Sequence, residues 1–117
     1  MSANKPNPVV HFEIGCRDKK QTSEFYSQLF GWGIDDTGMA AYIKTHTEKG
    51  IQGHISSLGH EPHNYVTVYV EVDDIDVYLA KVESLGGKKI VGPVPLPNGR
   101  KFAWFSDVEG TVIGLYS

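Results

Sequence analysis

The sequence has one cysteine, Cys16, so no intramolecular disulfide can form. The segment from Met1 to Pro8 shows no apolar stretch of the kind a secretory leader carries, and a reducing, cytoplasmic setting is the expectation. Long hydrophobic runs are missing too. Val66 to Val72 is interrupted by polar residues and falls far short of the ~20 apolar residues a membrane helix needs, so no membrane association is expected. There is no basic excess: Lys and Arg number 11 against 14 Asp and Glu, for a net charge of −3, with the two signs interspersed. A phosphate backbone would meet no basic stripe, and nucleic acid is not an expected partner. No phosphate-binding glycine loop, nucleophile elbow or paired-histidine zinc helix occurs.

What is present is the composition of an ordinary globule, 117 residues with 40% hydrophobic and 21% charged. A chain of this size buries roughly two-thirds of its unfolded surface on folding, enough for a core without staples. Residues 1–8 read as a tail. Val9 to Gly15 alternates apolar with polar, as a half-buried strand does, which puts His11, Glu13 and Gly15 on one face. Asp18 with Gln21 three positions on makes a helix start, and a helix over Lys19 to Phe30 is predicted, with Phe25, Leu29 and Phe30 on its buried side and Gly31 as its stop. Short strand-prone pieces follow at Gly33 to Asp35, Ala40 to Thr45 and Ile51 to Ser56, with turn residues between them. Leu58 to Asn64 reads as a linker.

The pattern then restarts. Val66 to Val72 alternates, Asp74 is a second cap, and Ile75, Tyr78, Leu79, Val82 and Leu85 recur at helical spacing before Gly86-Gly87. An offset of 56 positions pairs Thr67 with His11, Asp74 with Asp18, Leu85 with Leu29 and Gly87 with Gly31. Lys88 to Val91, Arg100 to Phe105 and Thr111 to Tyr116 complete three more strands, with a Pro-rich loop over Pro93 to Gly99. Ile51-Gln52-Gly53-His54 matches Val112-Ile113-Gly114-Leu115 at an offset of 61. The predicted fold is α+β: a single domain over 1–117 of two tandem βαβββ modules, 9–57 and 65–117 joined by 58–64, forming a curved, cup-shaped mixed sheet with the helices outside.

The order and doubling of these pieces resemble the glyoxalase/bleomycin resistance/extradiol dioxygenase, or vicinal oxygen chelate, superfamily. The residues that carry the resemblance are His11-Phe12-Glu13-Ile14, Phe25-Tyr26, Leu29-Phe30-Gly31-Trp32, Val72-Asp73-Asp74-Ile75, Leu85-Gly86-Gly87 and Phe105 through Leu115. The resemblance implies a small organic ligand, a homodimer and, in many members, a divalent metal held by four strand positions. Carried onto this chain those positions are His11, Gly53, Thr67 and Gly114. Only His11 is a good ligand, since glycine has no side-chain donor, so the usual metal site looks dismantled and no cofactor is favoured. A one-residue register shift would instead bring His54 beside His11 and Glu13. That 2-His-1-carboxylate set would suit iron, manganese, zinc or nickel.

His11 and Glu13 are the candidate catalytic pair, a strand imidazole beside a carboxylate whose pKa burial would raise. Thr67, Tyr69, Tyr116 and Trp104, together with His11 and Glu13, are the candidate ligand contacts, the aromatic rings offering flat apolar faces with a polar edge. Trp32 reads as core, Cys16 as an inert buried thiol, and His46, His60 and His63 as solvated loop residues. The expectation is a small-molecule-binding protein without the metal quartet. Two alternatives stand beside it: a metal-dependent lyase, isomerase or dioxygenase using His11, Glu13 and His54, and a drug-sequestering protein without chemistry.

Overall fold

The structure, a computed structural model, describes residues 6–117; five of the eight residues predicted as a tail lie outside the described residues. Two helices and eight strands run in the order β1 (Val9–Gly15), α1 (Lys19–Phe30), β2 (Gly33–Asp36), β3 (Ala41–Lys44), β4 (Gln52–Ser56), β5 (Tyr65–Glu71), α2 (Ile75–Ser84), β6 (Lys88–Pro95), β7 (Lys101–Ser106) and β8 (Val112–Tyr116). The predicted α+β class holds, and βαβββ occurs twice. No helix among the described residues is long and apolar enough to cross a membrane.

The chain divides into two compact units, His11–Thr67 and Val68–Ser117 with the described residues through Val10. In the first unit the strands lie in the order β2, β3, β4, β1, with β1 and β4 parallel and the others antiparallel. Asp18 caps α1 by accepting a hydrogen bond from the Gln21 backbone N–H at 3.0 Å, and Gly31 ends it in the left-handed region at φ 73°, a conformation open mainly to glycine. The core joins Cys16, Ala41, Ile43 and Ile55 with Phe12, Ile14, Tyr26, Trp32 and Ile34, so α1 packs on its strands through Tyr26.

This corrects the predicted helix face: Phe25, Leu29 and Phe30 are each more than half exposed, and the buried side of α1 is that of Ser23 and Tyr26. Apolar residues stand on two neighbouring stripes of α1, so helical spacing alone supported either. The strands below the helix chose between them.

In the second unit the order is β5, β8, β7, β6, again with one parallel pair, β5 with β8. Asp74 caps α2, and Ile75 and Leu79 pack against Val72, Ala103 and Leu115. Leu85, expected on the buried stripe, is exposed, because it lies past the last residue of α2 and forms the cap rather than the face. β6 also runs longer than predicted and takes in Pro93 and Pro95. Proline has no N–H to give a ladder, and β6 is the last strand in the order and pairs with β7 through two register shifts, which is where a strand tolerates it.

Candidate functional site

Parallel pairing of β1 with β4 sets Glu13 directly across from His54 and Phe12 across from Gly53. Residues two apart on a strand share a face, so His11 and Glu13 project to the same side, and His54 meets both. The Nε2 of His11 lies 2.7 Å from Nδ1 of His54, their rings stacked with centroids 5.0 Å apart. Nε2 of His54 lies 3.4 Å from Oε1 of Glu13. The other carboxylate oxygen, Oε2, accepts a short hydrogen bond from the hydroxyl of Tyr65. Glu13 is 1% exposed, yet both its oxygens face polar partners, which is the condition for keeping a carboxylate inside a protein.

Tyr65 opens β5, and the chain makes room for it twice. A β-carbon on Gly15 would run into its ring and one on Gly59 into its hydroxyl, while the His60 imidazole stacks on the ring with centroids 3.9 Å apart. Tyr42 closes the neighbourhood from β3, its ring 5.9 Å from that of His54.

The electrostatics follow from depth. Burial, reinforced by the neighbouring His54 and only partly offset by Glu13, lowers the His11 pKa from 6.5 to about 4, so its imidazole is neutral at pH 7. Burial and the bond to Glu13 push the Tyr65 hydroxyl well above its ordinary value, so it keeps its proton. The His54 side chain is 16% exposed against 2% for Glu13. The imidazoles are thus nearer solvent and the carboxylate is sealed behind them.

In the second unit the corresponding strand pair carries different groups. Tyr69 faces Gly114 across β5 and β8, and Trp104 faces Gly114 from β7. A β-carbon on Gly114 would strike the Tyr69 ring, so the missing side chain is what lets that ring lie over the strand. Trp104 Nε1–H donates to the Tyr69 hydroxyl at 2.7 Å, and Phe102 packs near both rings. Tyr116 is taken up elsewhere: the Arg100 guanidinium covers its ring at 4.6 Å and is itself held by Glu71 at 2.9 Å. Thr67 is buried at the end of the first unit.

The registers also correct the alignment of the halves. Glu13 pairs with His54 as Tyr69 pairs with Gly114, and Tyr69 follows Glu13 by 56 positions, so the last-strand counterpart of Gly114 is His54, at an offset of 60 rather than 61. Gly53 is turned to the opposite face, where a β-carbon would meet the Phe12 ring at 2.7 Å. Of the ligand positions expected from the resemblance, Gly53 is therefore replaced by His54.

The three residues of the alternative metal set, His11, Glu13 and His54, do come together. Their donor atoms, however, are directed at one another: each nitrogen of His54 faces a partner, and Glu13 is shared between His54 and Tyr65. Among the described residues no group of three or more His, Cys, Asp or Glu is arranged to hold a metal ion, so the donor set as it stands does not fit one.

His46 and His63 lie apart from this cluster, His46 against Gly33 and His63 paired with Glu61 at 2.8 Å. Tyr65 and His60 were missed by sequence reasoning. For Tyr65 a signal existed, since it shares the two-residue alternation of Thr67 and Tyr69; for His60, in a loop without periodicity, there was none.

Comparison with known proteins agrees with this architecture. A family model described as the Glyoxalase/Bleomycin resistance protein/Dioxygenase superfamily matches residues 9–115. A glyoxylase-like domain-containing protein of Didymella fabae is 30% identical over 111 residues, covering 87% of each chain. The anthracycline biosynthesis protein DnrV of Streptomyces peucetius is 25% identical, across 99% of this chain and 49% of its own, so the chain spans about half the length of that relative. Among solved structures, a hypothetical protein of Bacillus halodurans C-125 superposes with a TM-score of 0.69 at 18% identity, covering 96% of this chain and 94% of that one. A Streptomyces coelicolor methylmalonyl-CoA epimerase in complex with 2-nitronate-propionyl-CoA gives 0.63 at 17% identity, with the same coverage, 96% and 94%. At these identities the structural matches speak to fold alone.

Proposed function

The chain belongs to the glyoxalase/bleomycin resistance protein/dioxygenase superfamily, and on that premise we propose that it binds a small carbonyl-bearing organic molecule and moves a proton on it by acid–base chemistry of its own side chains. The observation that carries this reading is the sealed Glu13 carboxylate linked through His54 to the neutral imidazole of His11. A neutral imidazole has a lone pair with which to take a proton from carbon next to a carbonyl or from a hydroxyl, and a carboxylate behind it compensates the positive charge that would otherwise build up. The reaction class is proton abstraction and return, as in an isomerase or lyase. His11 faces the substrate, His54 transmits and Glu13 receives.

The epimerase among the structural matches carries a CoA-type ligand; for this chain the substrate class is kept to compact carbonyl compounds. No step is assigned to a metal, because the His11 and His54 nitrogens that would hold it face each other at 2.7 Å and the Glu13 carboxylate is taken up by Tyr65 and His54. The Tyr69–Trp104 pair of the second unit is a separate candidate contact for a flat ligand. A homodimer is part of the proposal, and light scattering tests it.

Incubating the protein with a panel of small ketones, aldehydes and thioesters in deuterated water tests the function. Deuterium uptake next to the carbonyl that disappears in Glu13→Gln, with ligand binding retained, is the expected result. Stoichiometric iron, manganese, zinc or nickel that is required for exchange and lost in His11→Ala would overturn it in favour of metal chemistry. Binding without exchange for every binder in the panel would overturn it in favour of sequestration.

A further inference from the structure

The turn after β3 holds a residue in a conformation that its neighbours have to support. His46 alone among the described non-glycine residues has a positive φ, 57°, in the left-handed region that a residue with a β-carbon rarely adopts. Gln52 on β4 grips Thr45 next door: its Oε1 accepts from the Thr45 N–H at 2.8 Å and its Nε2 donates to the Thr45 hydroxyl at 2.9 Å. Gly33 on β2 leaves room for the imidazole, since a β-carbon there would lie 2.6 Å from Nε2 of His46. An unfavourable backbone that two other elements are arranged to hold is a reason to ask what the ring does.

Strand register says where that ring lies. Gly33 pairs with Lys44, Ile34 with Ile43 and Asp35 with Tyr42 across β2 and β3, and Tyr42 pairs with His54 across β3 and β4. Ile34 and Ile43 belong to the core that α1 packs on. Gly33, Lys44 and Tyr42 therefore share the opposite face of the sheet, the one that carries His54, Glu13 and His11. The β-carbons of directly paired residues are ~5 Å apart, so the imidazole standing in the Gly33 space is within reach of the Lys44 ammonium. Lys44 is exposed and forms no ion pair among the described residues, whereas Lys19 is held by Asp36. The acid on the same face, Asp35, lies diagonally across the ladder from Lys44, at a distance of ~7–8 Å between the strands.

From this placement we infer that Lys44 and His46 form an anion-binding subsite at the edge of the first unit, and that the small carbonyl compound taken by the acid–base site carries a carboxylate or phosphate group. The carbonyl end of that statement rests on the acid–base reading above; the subsite does not. The ammonium supplies a compact positive charge and the imidazole an N–H donor beside it, the combination that suits an oxyanion. From β3 to β1 is two strand spacings, about 10 Å, and the lysine side chain shortens the span, so the anionic group sits a few bonds from a carbon at His11. Tyr42, 43% exposed and 5.9 Å from the His54 ring, lies between the two ends and offers a flat surface to the chain joining them.

The test uses pairs of probes that differ in the anion: levulinate against methyl levulinate, and dihydroxyacetone phosphate against dihydroxyacetone. Binding to the full chain is read from amide shifts in NMR titrations. At least one anionic probe is expected to bind about 10-fold tighter than its neutral partner, the scale of one charge-assisted contact, and added salt should narrow the gap. Lys44→Gln is expected to remove that advantage while leaving the neutral partner within about two-fold. His46→Asn, a residue that also accepts the left-handed backbone, should reduce it by about three-fold. The pair with the larger Lys44-dependent advantage tells carboxylate from phosphate. Equal binding of charged and neutral partners, no binding of either anion at millimolar concentration, or an advantage that survives in both variants would overturn the subsite. A Lys44-dependent advantage in a protein that exchanges deuterium into no probe would leave the subsite standing and remove the proposed function; exchange into neutral ketones with no anion advantage would do the reverse.

Discussion

The two units build the same strand pair and fill it with opposite chemistry. On β1 and β4 a carboxylate, Glu13, faces an imidazole, His54; at the matching positions of β5 and β8 a phenol, Tyr69, faces Gly114. In the first unit the side chain opposite is a titratable partner, and a buried network results. In the second the side chain opposite is absent, and an aromatic ring with a Trp104 donor occupies the space. A backbone template therefore fixes where side chains meet, while the residue across the ladder decides whether the meeting place holds a network of titratable groups or an aromatic ring.

The contrast breaks most visibly at Glu13. Glu13→Gln is expected to lower proton exchange by at least about 100-fold, the usual scale for losing an acid–base group, whereas Tyr69→Phe in the second unit is expected to raise the ligand concentration needed while leaving the exchange rate at saturation within a few-fold; isotope uptake by NMR measures both. Equal losses would show that the halves are not divided in this way.

The next largest effect is on stability against pH, and it should arise from the first unit alone. The folded pKa of His11 is about 4 against 6.5 unperturbed, so below pH 6.5 the unfolded chain binds more protons than the folded one. Stability is therefore fully present above pH 6.5 and falls as the pH is lowered toward 4, by an amount on the order of 3 kcal/mol. Thermal melts across this range should show the loss, and His11→Asn should flatten it. A matching flattening in Thr67→Asn, at the equivalent position of β5, would contradict the assignment.

Gly114→Ala sharpens the comparison from the other side. The added methyl meets the Tyr69 ring, and the overpacking should destabilise the fold by about 2 kcal/mol in a denaturant titration. The smallest expected difference is between the helix caps. Asp18→Ala and Asp74→Ala should each cost about 1 kcal/mol, with Asp18 the larger because its bond is 3.0 Å against 3.3 Å.

Much of the fold was legible because its signals are local. Alternation gave β1 and β5, and the capping aspartates gave both helix starts within the sequence. His11 and Glu13 were legible for the same reason, being two residues apart on one strand. His54 was not placed, since Gln52-Gly53-His54 has a polar side chain on each side of a residue with none. An alternating pattern then says nothing about which of the two faces the network. Tyr65 escaped for a different reason: it lies 52 positions from Glu13, and nothing near it in the chain refers to that carboxylate.

The sequence by itself determined the α+β class, the doubling, the helix starts and the first-strand pair His11 and Glu13, because short-range periodicity and capping decide these within a few residues. Only the tertiary structure decided which stripe of α1 is buried, that His54 rather than Gly53 shares the face of Glu13, and that Tyr65 closes the far side of the carboxylate. Those outcomes depend on strand register and on contacts between distant segments, where a slip of one residue reverses the facing of every side chain and leaves the local pattern unchanged.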